Sequence, residues 1–513
     1  MWICSFEEKI RREKQLWEKG VTTPFFRAEE KGGSIAREIL SVSSSKGKIV
    51  LWCTPDLWNM SALVCARLLN AAGKEIVLGV FPNNGDIPRE WRSSLRLLRK
   101  QGIKDIFFLD KASLRKRFVE ACKGAEMLVG FFVGGWNKRK EYTSLLEWAL
   151  RCFPLLIGIE VPLGYPESVI PTHEVWSLDF FVEDILDLPY RPWVEKRKLL
   201  SSFLLSSFYE EACAHSFVST PSEVAFLVKQ RPLEGHKGSF GRLLVIGGSE
   251  VYPGAMILAG RAALQSGCGL VTVSSDTRLA IDEPQLTYLP FTQDRALSIL
   301  EAYLQRLSTS AILVGNGWGD DPSHGELLRF LLTQPYVKRL IIDADGLNLL
   351  ARSPLLWDTL KKQQQQQPKE IILTPHVGEM VRLLRISSDD FRQKRKMYTL
   401  QLAQELQAVI VQKDATTLIV TPDGEVWYSL YGNTALSKGG SGDILAGLIG
   451  GLVASGYTTK DAALVGCFLL GRAAELWTQT YPPESATPSG ILSFIAEAWK
   501  ELYERKKLVQ NLF

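Results

Sequence analysis

Short apolar runs alternate with amphipathic segments along the whole chain, and this alternation limits the possible folds more than any other feature. In the first half, KIVLWC and EIVLGVF are strand-like, and REWRSSLRLLRKQ has helical spacing. The pattern starts again near residue 240, where the strand-like RLLVIGGS precedes the helical GAMILAGRAALQSG. Apolar strands that alternate with helices are typical of parallel sheets covered on both faces. The sequence therefore predicts an α/β fold.

The length of the chain predicts more than one domain. It has 513 residues, whereas single domains commonly have roughly 100–200. Prolines and polar residues cluster between LDLPYRPW and VSTPSEV, over residues 190–225, and such clusters mark loops. We therefore predict two three-layer αβα domains, over residues 1–215 and 220–513. KKQQQQQPKE, in the second domain, is predicted to be a low-complexity loop without a chemical role.

Composition and charge exclude several classes of function. The formal net charge is +4, and no Lys/Arg run is dense enough to predict nucleic-acid binding. The eight cysteines include no C-x-x-C pair, which favours a reducing compartment and argues against a zinc site. The N-terminal MWICSFEEKIRREK lacks the apolar core of a signal peptide, and no segment reaches the ~18 apolar residues of a membrane span. We expect a cytoplasmic protein that binds neither nucleic acid nor membrane.

Several predicted strands of the second half end in residues suited to a ligand site. In doubly wound sheets, ligands bind at the carboxyl ends of the strands. The candidate strand ends are Gly247–Ser249, Gly315–Gly319, Asp343–Asp345, Thr374–His376 and Gln412–Lys413, with Glu379 shortly after His376. One such ending is weak evidence, but their joint position favours a functional site.

The stretch NTALSKGGSGDILAGLIGGLVASG places a glycine-rich loop directly before a long apolar helix. The N-terminus of a helix has unpaired backbone N–H groups and a partial positive charge, and glycines let phosphate oxygens approach closely. We therefore predict that Gly439–Gly442 bind a phosphate. Asp443, in the first helical turn, is then placed to take a proton from an attacking hydroxyl.

Each of these residues also has a purely structural interpretation. Asp443 could serve only the helix dipole, and Lys413 could be a surface lysine at a strand end. His376 could be a turn residue, and Asp343 and Asp345 could be turn or capping residues. These alternatives stay open on the residues alone.

The second half resembles a known family, the ADP/ATP-dependent NAD(P)H-hydrate dehydratases, which are ribokinase-like enzymes. The resemblance covers residues 225–505. It depends on several motifs in the family's order and spacing: HKGSFGRLLVIGGSEVYPGAMILAGRAALQSGCGLVTV, GNGWG, IDADGLN, LTPHVGE and GN…GGSGDILAG. GGSGD alone would be weak, because many sugar and vitamin kinases carry a similar string.

The resemblance implies a repair reaction on hydrated NADH or NADPH (NADHX or NADPHX). A nucleotide phosphorylates the ring hydroxyl, and the phosphate then leaves. The resemblance gives Asp443 the role of base, Gly442 that of a phosphoryl contact, and Ala255, Gly317 and His376 contacts to the hydrated dinucleotide. It assigns the nucleotide phosphates to the segment Lys413, Asp414, Ala415, Thr416 and Thr417.

The resemblance also implies partners. It favours ADP over ATP without deciding between them, and it implies Mg²⁺ as the nucleotide's counterion, with no residue identified as the metal ligand. It also implies a homo-oligomer. The chain departs from the family at Asp414, where glycine is usual, and at Thr434-Ala435-Leu436, which replace Pro-Gly-Met after Asn433. An additional carboxylate beside nucleotide phosphates is unfavourable, so Asp414 bears on nucleotide affinity.

The first half resembles the Rossmann-like NAD(P)H-hydrate epimerase domain to which these dehydratases are often fused. The epimerase signature Asn-Asn-Gly-Gly-Asp-Gly is replaced by LWNMSA, residues 57–62, with Ser61 at the aspartate position. The family's Asp-Val-Pro-Ser-Gly becomes Glu160-Val161-Pro162-Leu163-Gly164. Our hypothesis is that this domain keeps the fold and has lost epimerase activity. The alternative is an active domain with Asp56 or Glu160 as a displaced acid.

Two other functions remain possible from the sequence. One is a vitamin or sugar kinase of the same fold, such as a hydroxyethylthiazole-kinase-like protein. The other is a dinucleotide-binding or scaffolding protein in which both halves have lost their chemistry. HKGSFGRLLVIGGS and LTPHVGE argue against the first, and the presence of Asp443, Lys413 and His376 argues against the second.

Overall fold

The computed structural model describes residues 6–19, 22–82, 87–131, 140–160, 172–178, 194–200, 216–276, 283–307 and 309–510. The chain divides into two units, Trp2–Ala214 and His215–Phe513. Each unit contains its own sheet, and we describe the two separately.

The N-terminal unit is built on a seven-stranded parallel sheet. Its strands are β1 (Lys48–Cys53), β2 (Glu75–Val80), β3 (Ile106–Phe108), β4 (Met127–Phe131), β5 (Leu156–Ile159), β6 (Thr172–Leu178) and β7 (Val194–Leu200). Its helices are α1 (Phe6–Glu18), α2 (Pro24–Val42), α3 (Met60–Ala71), α4 (Arg89–Lys100), α5 (Ala112–Ala121) and α6 (Lys140–Cys152). The strand order is β3-β2-β1-β4-β5-β6-β7.

Both faces of this sheet are buried, as the continuous apolar strands predict. Successive side chains of a strand point to opposite faces. Ile49 and Leu51 accordingly join one buried cluster with residues of α2, α3 and α4, whereas Val50 and Trp52 join another with residues of α5 and α6. The unit therefore has helix, sheet and helix layers.

The C-terminal unit is built on a ten-stranded mixed sheet. Its strands are β8 (Ser216–Val218), β9 (Arg242–Ile246), β10 (Leu270–Ser275), β11 (Thr287–Pro290), β12 (Ala311–Val314), β13 (Arg339–Ile342), β14 (Glu370–Leu373), β15 (Val409–Gln412), β16 (Thr417–Val420) and β17 (Val426–Ser429). Its strand order is β11-β10-β9-β12-β13-β14-β15-β16-β17-β8, parallel from β11 to β15 and antiparallel through β16 and β17. Together the two sheets confirm the predicted α/β class.

The helices of the C-terminal unit are α7 (Pro221–Leu227), α8 (Pro253–Gln265), α9 (Ala296–Arg306), α10 (His324–Thr333), α11 (Ala344–Arg352), α12 (Pro354–Gln366), α13 (Val377–Leu384), α14 (Ser388–Gln393), α15 (Arg395–Leu406), α16 (Ser441–Ala454), α17 (Thr459–Thr480), α18 (Pro488–Leu492) and α19 (Ile495–Gln510). Helices α7 to α15 lie between the strands of this unit in the chain, and α16 to α19 follow the last strand.

The glutamine run is mostly helical, so the prediction of a loop over KKQQQQQPKE was wrong. Helix α12 continues through Gln366. Glutamine is a good helix former, and the buried Gln364 amide donates hydrogen bonds to the Lys369 and Gln407 carbonyls at 3.1 and 2.7 Å. These bonds connect the end of α12 to the loops beside it.

Small residues let α16 lie directly against α8, and this packing fixes where α16 begins. A Cβ added to Gly447 would lie 2.1 Å from the Ala259 carbonyl oxygen. One added to Gly451 would lie 2.1 Å from the Ser266 hydroxyl. Larger side chains would force the helices apart. The N-terminus of α16 is therefore held at the carboxyl edge of the sheet.

Among the helices that the structure describes, none is long and apolar enough to cross a membrane.

Candidate active site

The predicted strand ends meet at one edge of the C-terminal sheet. Strands β9, β12, β13, β14 and β15 are consecutive and parallel, so the loops after them emerge side by side. The N-terminus of α16 joins this edge through a hydrogen bond between Asp443 and Asn316, which lies in the loop after β12. The residues of this edge form what we call the carboxyl-edge site, which comprises Ala255, Gly315–Gly319, Asp343, Thr374–His376, Glu379, Lys413–Thr417 and Gly439–Asp443.

A chain of hydrogen bonds connects Asp443 to Lys413. The Asn316 side-chain amide donates to Asp443 Oδ1 at 2.7 Å and to Asp343 Oδ2 at 2.9 Å. Asp343 Oδ1 in turn accepts from Lys413 Nζ at 2.8 Å and from the Thr374 hydroxyl at 2.7 Å. Four strand ends and one helix are thus joined by polar contacts.

The glycine-rich loop and Lys413 lie together. A Cβ added to Gly442 would lie 3.4 Å from Lys413 Nζ. Gly440, which precedes α16, has φ of 99°, a conformation that favours glycine. The backbone N–H groups of the first turn of α16 therefore face the same region as a lysine ammonium, and both attract anions.

The electrostatics of the site favour a proton acceptor at Asp443. Burial raises the pKa of Asp443 to about 6, against the Asn316 hydrogen bond that lowers it. Burial also raises the pKa of Glu379 to about 7. Burial alone would lower the pKa of Lys413, but the Asp343 and Glu379 carboxylates outweigh it and raise that pKa. Near neutral pH, Asp443 is thus an ionised carboxylate with a stronger affinity for a proton than an exposed aspartate.

His376 is held in one tautomer by the start of α13. Its Nδ1 accepts hydrogen bonds from the backbone N–H groups of Gly378 at 2.9 Å and Glu379 at 3.3 Å. Burial and then Lys413 and Arg382 lower the pKa of His376, which favours the neutral ring. In that ring the proton lies on Nε2, so His376 offers a hydrogen-bond donor and no free basic nitrogen.

The predicted dinucleotide contacts Ala255 and Gly317 touch each other. Gly317 has φ of 72°, and a Cβ added to it would lie 2.8 Å from the Ala255 Cβ and 2.7 Å from the Tyr252 carbonyl oxygen. The start of α8 therefore packs against the loop after β12. Because Gly317 directly follows Asn316, this contact also borders Asp443.

The segment Lys413–Thr417 turns sharply between β15 and β16. Asp414 accepts a hydrogen bond from the Ala415 N–H at 2.6 Å on its carboxylate and one from the Thr417 hydroxyl at 3.3 Å on its carbonyl. The buried Arg395 donates to the Thr416 carbonyl and to the Gln412 side chain. The unusual carboxylate at position 414 is thus paired with its own turn, which reduces its repulsion of a nearby anion.

The two aspartates of IDADGLN differ in their roles. Asp343 occupies the N-cap position of α11 but makes no capping hydrogen bond; it pairs instead with Lys413 and Asn316. Asp345 accepts from the Gly319 N–H at 2.8 Å and from the Asn348 amide at 3.2 Å. Only Asp345 therefore fits the turn interpretation.

Sequence reasoning missed the role of Asn316 within the site and the contact of Arg395 with it. Asn316 lies in the strand end Gly315–Gly319, which the sequence analysis did identify as a candidate, but an asparagine between glycines is also typical of a turn. Arg395 lies at the start of α15, on no motif, and only the fold brings it to the Lys413–Thr417 turn.

The residues that the structure describes include no group of three or more acidic, histidine or cysteine side chains suited to hold a metal ion. Both oxygens of Asp343 already accept hydrogen bonds from protein groups. A Mg²⁺ ion would therefore depend on ligands from a bound molecule, such as phosphate oxygens and water.

At the carboxyl edge of the N-terminal sheet, the described acidic side chains are held by contacts within the unit. Glu160, directly after β5, is 1% exposed and accepts a hydrogen bond from Lys9 Nζ of α1 at 2.7 Å. Lys9 also donates to the Leu178 carbonyl at 2.6 Å. The ring of Trp58, in the stretch that replaces the epimerase signature, lies 3.7 Å from Lys31 Nζ.

Asp56, the other candidate acid of this unit, is enclosed by the turn that contains it. Its carboxylate accepts from the Thr54 hydroxyl at 2.7 Å, from the Asn59 N–H at 2.9 Å and from the Asn59 amide at 2.8 Å. Both of its oxygens are therefore occupied. The remainder of the second epimerase motif, Val161–Gly164, lies outside the described residues.

Comparison with known proteins identifies the family of this chain. A profile of the NAD(P)H-hydrate dehydratase family matches residues 243–496. The Bifunctional NAD(P)H-hydrate repair enzyme Nnr of Thermofilum pendens is 31% identical over 93% of this chain and 92% of its own length. The chain belongs to the bifunctional NAD(P)H-hydrate repair enzyme family.

Dehydratases of Bacillus subtilis are similar to a little over half of this chain. The ADP-dependent (S)-NAD(P)H-hydrate dehydratase of Bacillus subtilis is 32% identical over 55% of this chain and 97% of its own. A crystal structure of the ADP/ATP-dependent dehydratase from Bacillus subtilis, co-crystallised with ATP/Mg²⁺, covers 56% of this chain and 98% of its own at 29% identity, with a TM-score of 0.49.

Replacing Lys413 with methionine should destabilise this repair-enzyme family member. The change leaves Asp343 without its cation, and breaking a buried pair typically costs about 3 kcal/mol or more. Lys361→Met is the matched control, because the Lys361–Glu405 pair has side chains 38% and 43% exposed, and such pairs contribute less than about 1 kcal/mol. Denaturant unfolding of the full chain measures both. Equal losses in the two variants would contradict a structural role for the Lys413–Asp343 pair.

Proposed function

We propose that the C-terminal unit dehydrates (S)-NAD(P)H-hydrate to NAD(P)H, with ADP as the phosphoryl donor, as a metabolite-repair reaction. The observation that carries this proposal is the position of Asp443. Its carboxylate lies at the mouth of a glycine-rich helix N-terminus with Lys413 beside Gly442. The names of the relatives supply the substrate class.

The chemistry divides into two steps. Asp443 takes the proton of the ring hydroxyl while that oxygen attacks the terminal phosphorus of the nucleotide, and the bond from phosphorus to the bridging oxygen breaks. The carbon–oxygen bond of the phosphorylated ring then breaks, phosphate leaves with the electron pair, and loss of a proton from the neighbouring ring carbon restores the double bond. ADP becomes AMP, and the water is removed in the form of phosphate. Phosphate leaves more readily than hydroxide, which is the reason for phosphorylation.

The chain's own residues would bind and orient the two molecules. We assign the nucleotide phosphates to Gly442 and the Lys413–Thr417 turn, where Lys413 supplies positive charge and Arg395 fixes the turn. We assign the hydrated dinucleotide to Ala255, Gly317 and His376. As a neutral ring with a proton on Nε2, His376 would donate a hydrogen bond rather than remove a proton.

Magnesium would enter with the nucleotide. The described residues contain no group of acidic, histidine or cysteine side chains suited to bind the ion alone, and a dehydratase of Bacillus subtilis was crystallised with ATP/Mg²⁺. When bound, the ion neutralises phosphate charge. ADP as donor, a homo-oligomeric state and a cytoplasmic location remain part of the proposal.

We further propose that the N-terminal unit is inactive as an epimerase. Glu160 is buried and paired with Lys9, and the oxygens of Asp56 accept hydrogen bonds from Thr54 and Asn59. Neither acid is available to a substrate unless these contacts break. The bulky Trp58 stands where the epimerase signature has its second asparagine, and Met60 stands where the signature has glycine.

Asp443→Asn should lower turnover at least ~100-fold, the low end of general-base effects, and leave ADP affinity nearly unchanged. Recovery of reduced-nicotinamide absorbance from hydrated NADH with ADP and Mg²⁺ measures turnover, and calorimetry measures ADP binding.

Asp461→Asn is the matched control for this change, because Asp461 lies in the first turn of the next helix, α17. It loses only an interaction with a helix dipole, so full turnover is expected. Near-normal turnover in Asp443→Asn would assign the base elsewhere. Phosphorylated product that never regenerates NADH would favour a kinase.

The full-length Asp443→Asn variant also tests the N-terminal unit, since it should not consume the hydrate. Incubated with one purified epimer of hydrated NADH, it should leave the spontaneous rate of interconversion unchanged, as followed by chromatography. Interconversion at an enzymatic rate would contradict the proposed inactivity of this unit.

A further inference from the structure

Asn316 connects the two carboxylates at the centre of the carboxyl-edge site. We propose that Asn316 is a positioning residue for the dehydration: it holds Oδ1 of Asp443 so that Oδ2 is the oxygen that takes the substrate proton. This inference rests on the proposed function, because it concerns the same proton transfer.

The backbone of Asn316 has little freedom to move. Its carbonyl oxygen accepts from the Gly248 N–H at 2.8 Å, and a Cβ added to Gly247 would lie 2.3 Å from that oxygen. Gly315 and Gly317, on either side, have φ of 105° and 72°. The side chain therefore projects from a loop that packs against Gly247 and Gly248 and turns at the glycine on either side of Asn316.

The chemistry of its partners fixes the orientation of the Asn316 amide. The nitrogen carries two hydrogens, and the two nearest acceptors are carboxylate oxygens of Asp443 and Asp343 at 2.7 and 2.9 Å. In the flipped orientation, the amide oxygen would face both carboxylates and repel them. Each hydrogen is thus committed to one carboxylate.

Burial of the Asn316 side chain costs folding free energy, which indicates a role other than stabilising the fold. Asn316 is fully buried, and its Oδ1 has no hydrogen-bond partner within the described part of the chain. A buried acceptor without a partner destabilises the folded state. Apolar packing at this position would avoid that penalty, so the amide is better explained by what it does to Asp443.

The charged groups that face Asp443 come from several elements. Asp343 after β13 and Asp345 on α11 oppose its ionisation, Lys413 after β15 favours it, and Glu379 on α13 lies 3.9 Å from Lys413. Burial opposes ionisation most strongly, and the Asn316 hydrogen bond is the largest effect that favours it. Without Asn316, the pKa of Asp443 should therefore rise, and its Oδ1 would be free to rotate toward the substrate.

The test is the pH dependence of turnover in Asn316→Leu and Asn316→Ala. Asp443 acts only when ionised, so activity is lost as the pH falls through its pKa. Loss of one hydrogen bond to a charged group should move the acid limb of the kcat profile upward by about one pH unit. Turnover should then fall about tenfold at pH 5.5 and much less at pH 8.5. Asn316→Leu has nearly the shape of asparagine and donates no hydrogen bond, so it keeps the test valid if the alanine variant does not fold.

Gln364→Ala is the control, because Gln364 is also a buried amide but lies on α12 and contacts only backbone carbonyls and the Lys369 N–H. It should lower the unfolding midpoint and leave the pH profile unchanged. A uniform loss of turnover at every pH in both Asn316 variants would overturn the proposal, because it would show a structural role only.

A second measurement needs no substrate and separates this inference from the proposed function. A double-mutant cycle of Asn316→Ala and Asp443→Ala, read from unfolding midpoints, gives the coupling between the two side chains. The coupling should be larger at pH 8 than at pH 5, where Asp443 is protonated. No coupling at pH 8 would overturn the inference, whereas coupling in a protein that does not convert hydrated NADH would overturn only the proposed function.

Discussion

The contact between Lys413 and Asp343 is the interaction on which the rest of the candidate site depends. Asp343 Oδ1 accepts hydrogen bonds from Lys413 and Thr374, and Asp343 Oδ2 accepts one from Asn316. The Asn316 amide also donates to Asp443, so the position of Asp443 depends on the same contacts. Each carboxylate is thereby held by a cation or an amide rather than by another acid. The parallel sheet makes this possible, since it places the ends of β12, β13, β14 and β15 next to one another. The glycines of α16 then bring Asp443 to the same edge.

The two units use the carboxyl edges of their sheets in opposite ways. In the C-terminal unit, Asp443 accepts a hydrogen bond on one oxygen, and three of the four residues before it are glycines, which would let an anion approach the backbone. In the N-terminal unit, Glu160 is paired with Lys9 of α1, and the aromatic ring of Trp58 is stacked against Lys31. A buried ion pair of this kind holds the acid in place. We therefore propose that the same architecture supports catalysis at the edge of the C-terminal sheet and holds its acids in internal contacts at the edge of the N-terminal sheet.

The sequence predicted the parts of this structure that follow local rules. Apolar runs such as RLLVI and AILV become buried parallel strands, and GGSGD becomes a loop followed by the helix that carries Asp443, because backbone geometry and burial act over a few residues there. The position of Arg395 could not be predicted, since it reaches the Lys413–Thr417 turn from a helix that carries no motif. The role of Asn316 depends on which carboxylates the fold brings within hydrogen-bond distance. The glutamine run was wrongly predicted as a loop because its low complexity was given more weight than the helix propensity of glutamine. Of the two carbonyls that bind Gln364, only that of Gln407 lies outside the run.

The most direct test of the account is a crystal structure of the full chain with ADP and Mg²⁺. The account predicts that the terminal phosphate lies against the N–H groups of Gly439–Gly442, within hydrogen-bond distance of Lys413 Nζ and on the side of Asp443 Oδ2. A terminal phosphate bound away from this loop, with Lys413 still paired only to Asp343, would contradict the central claim that the start of α16 is the phosphoryl-transfer site.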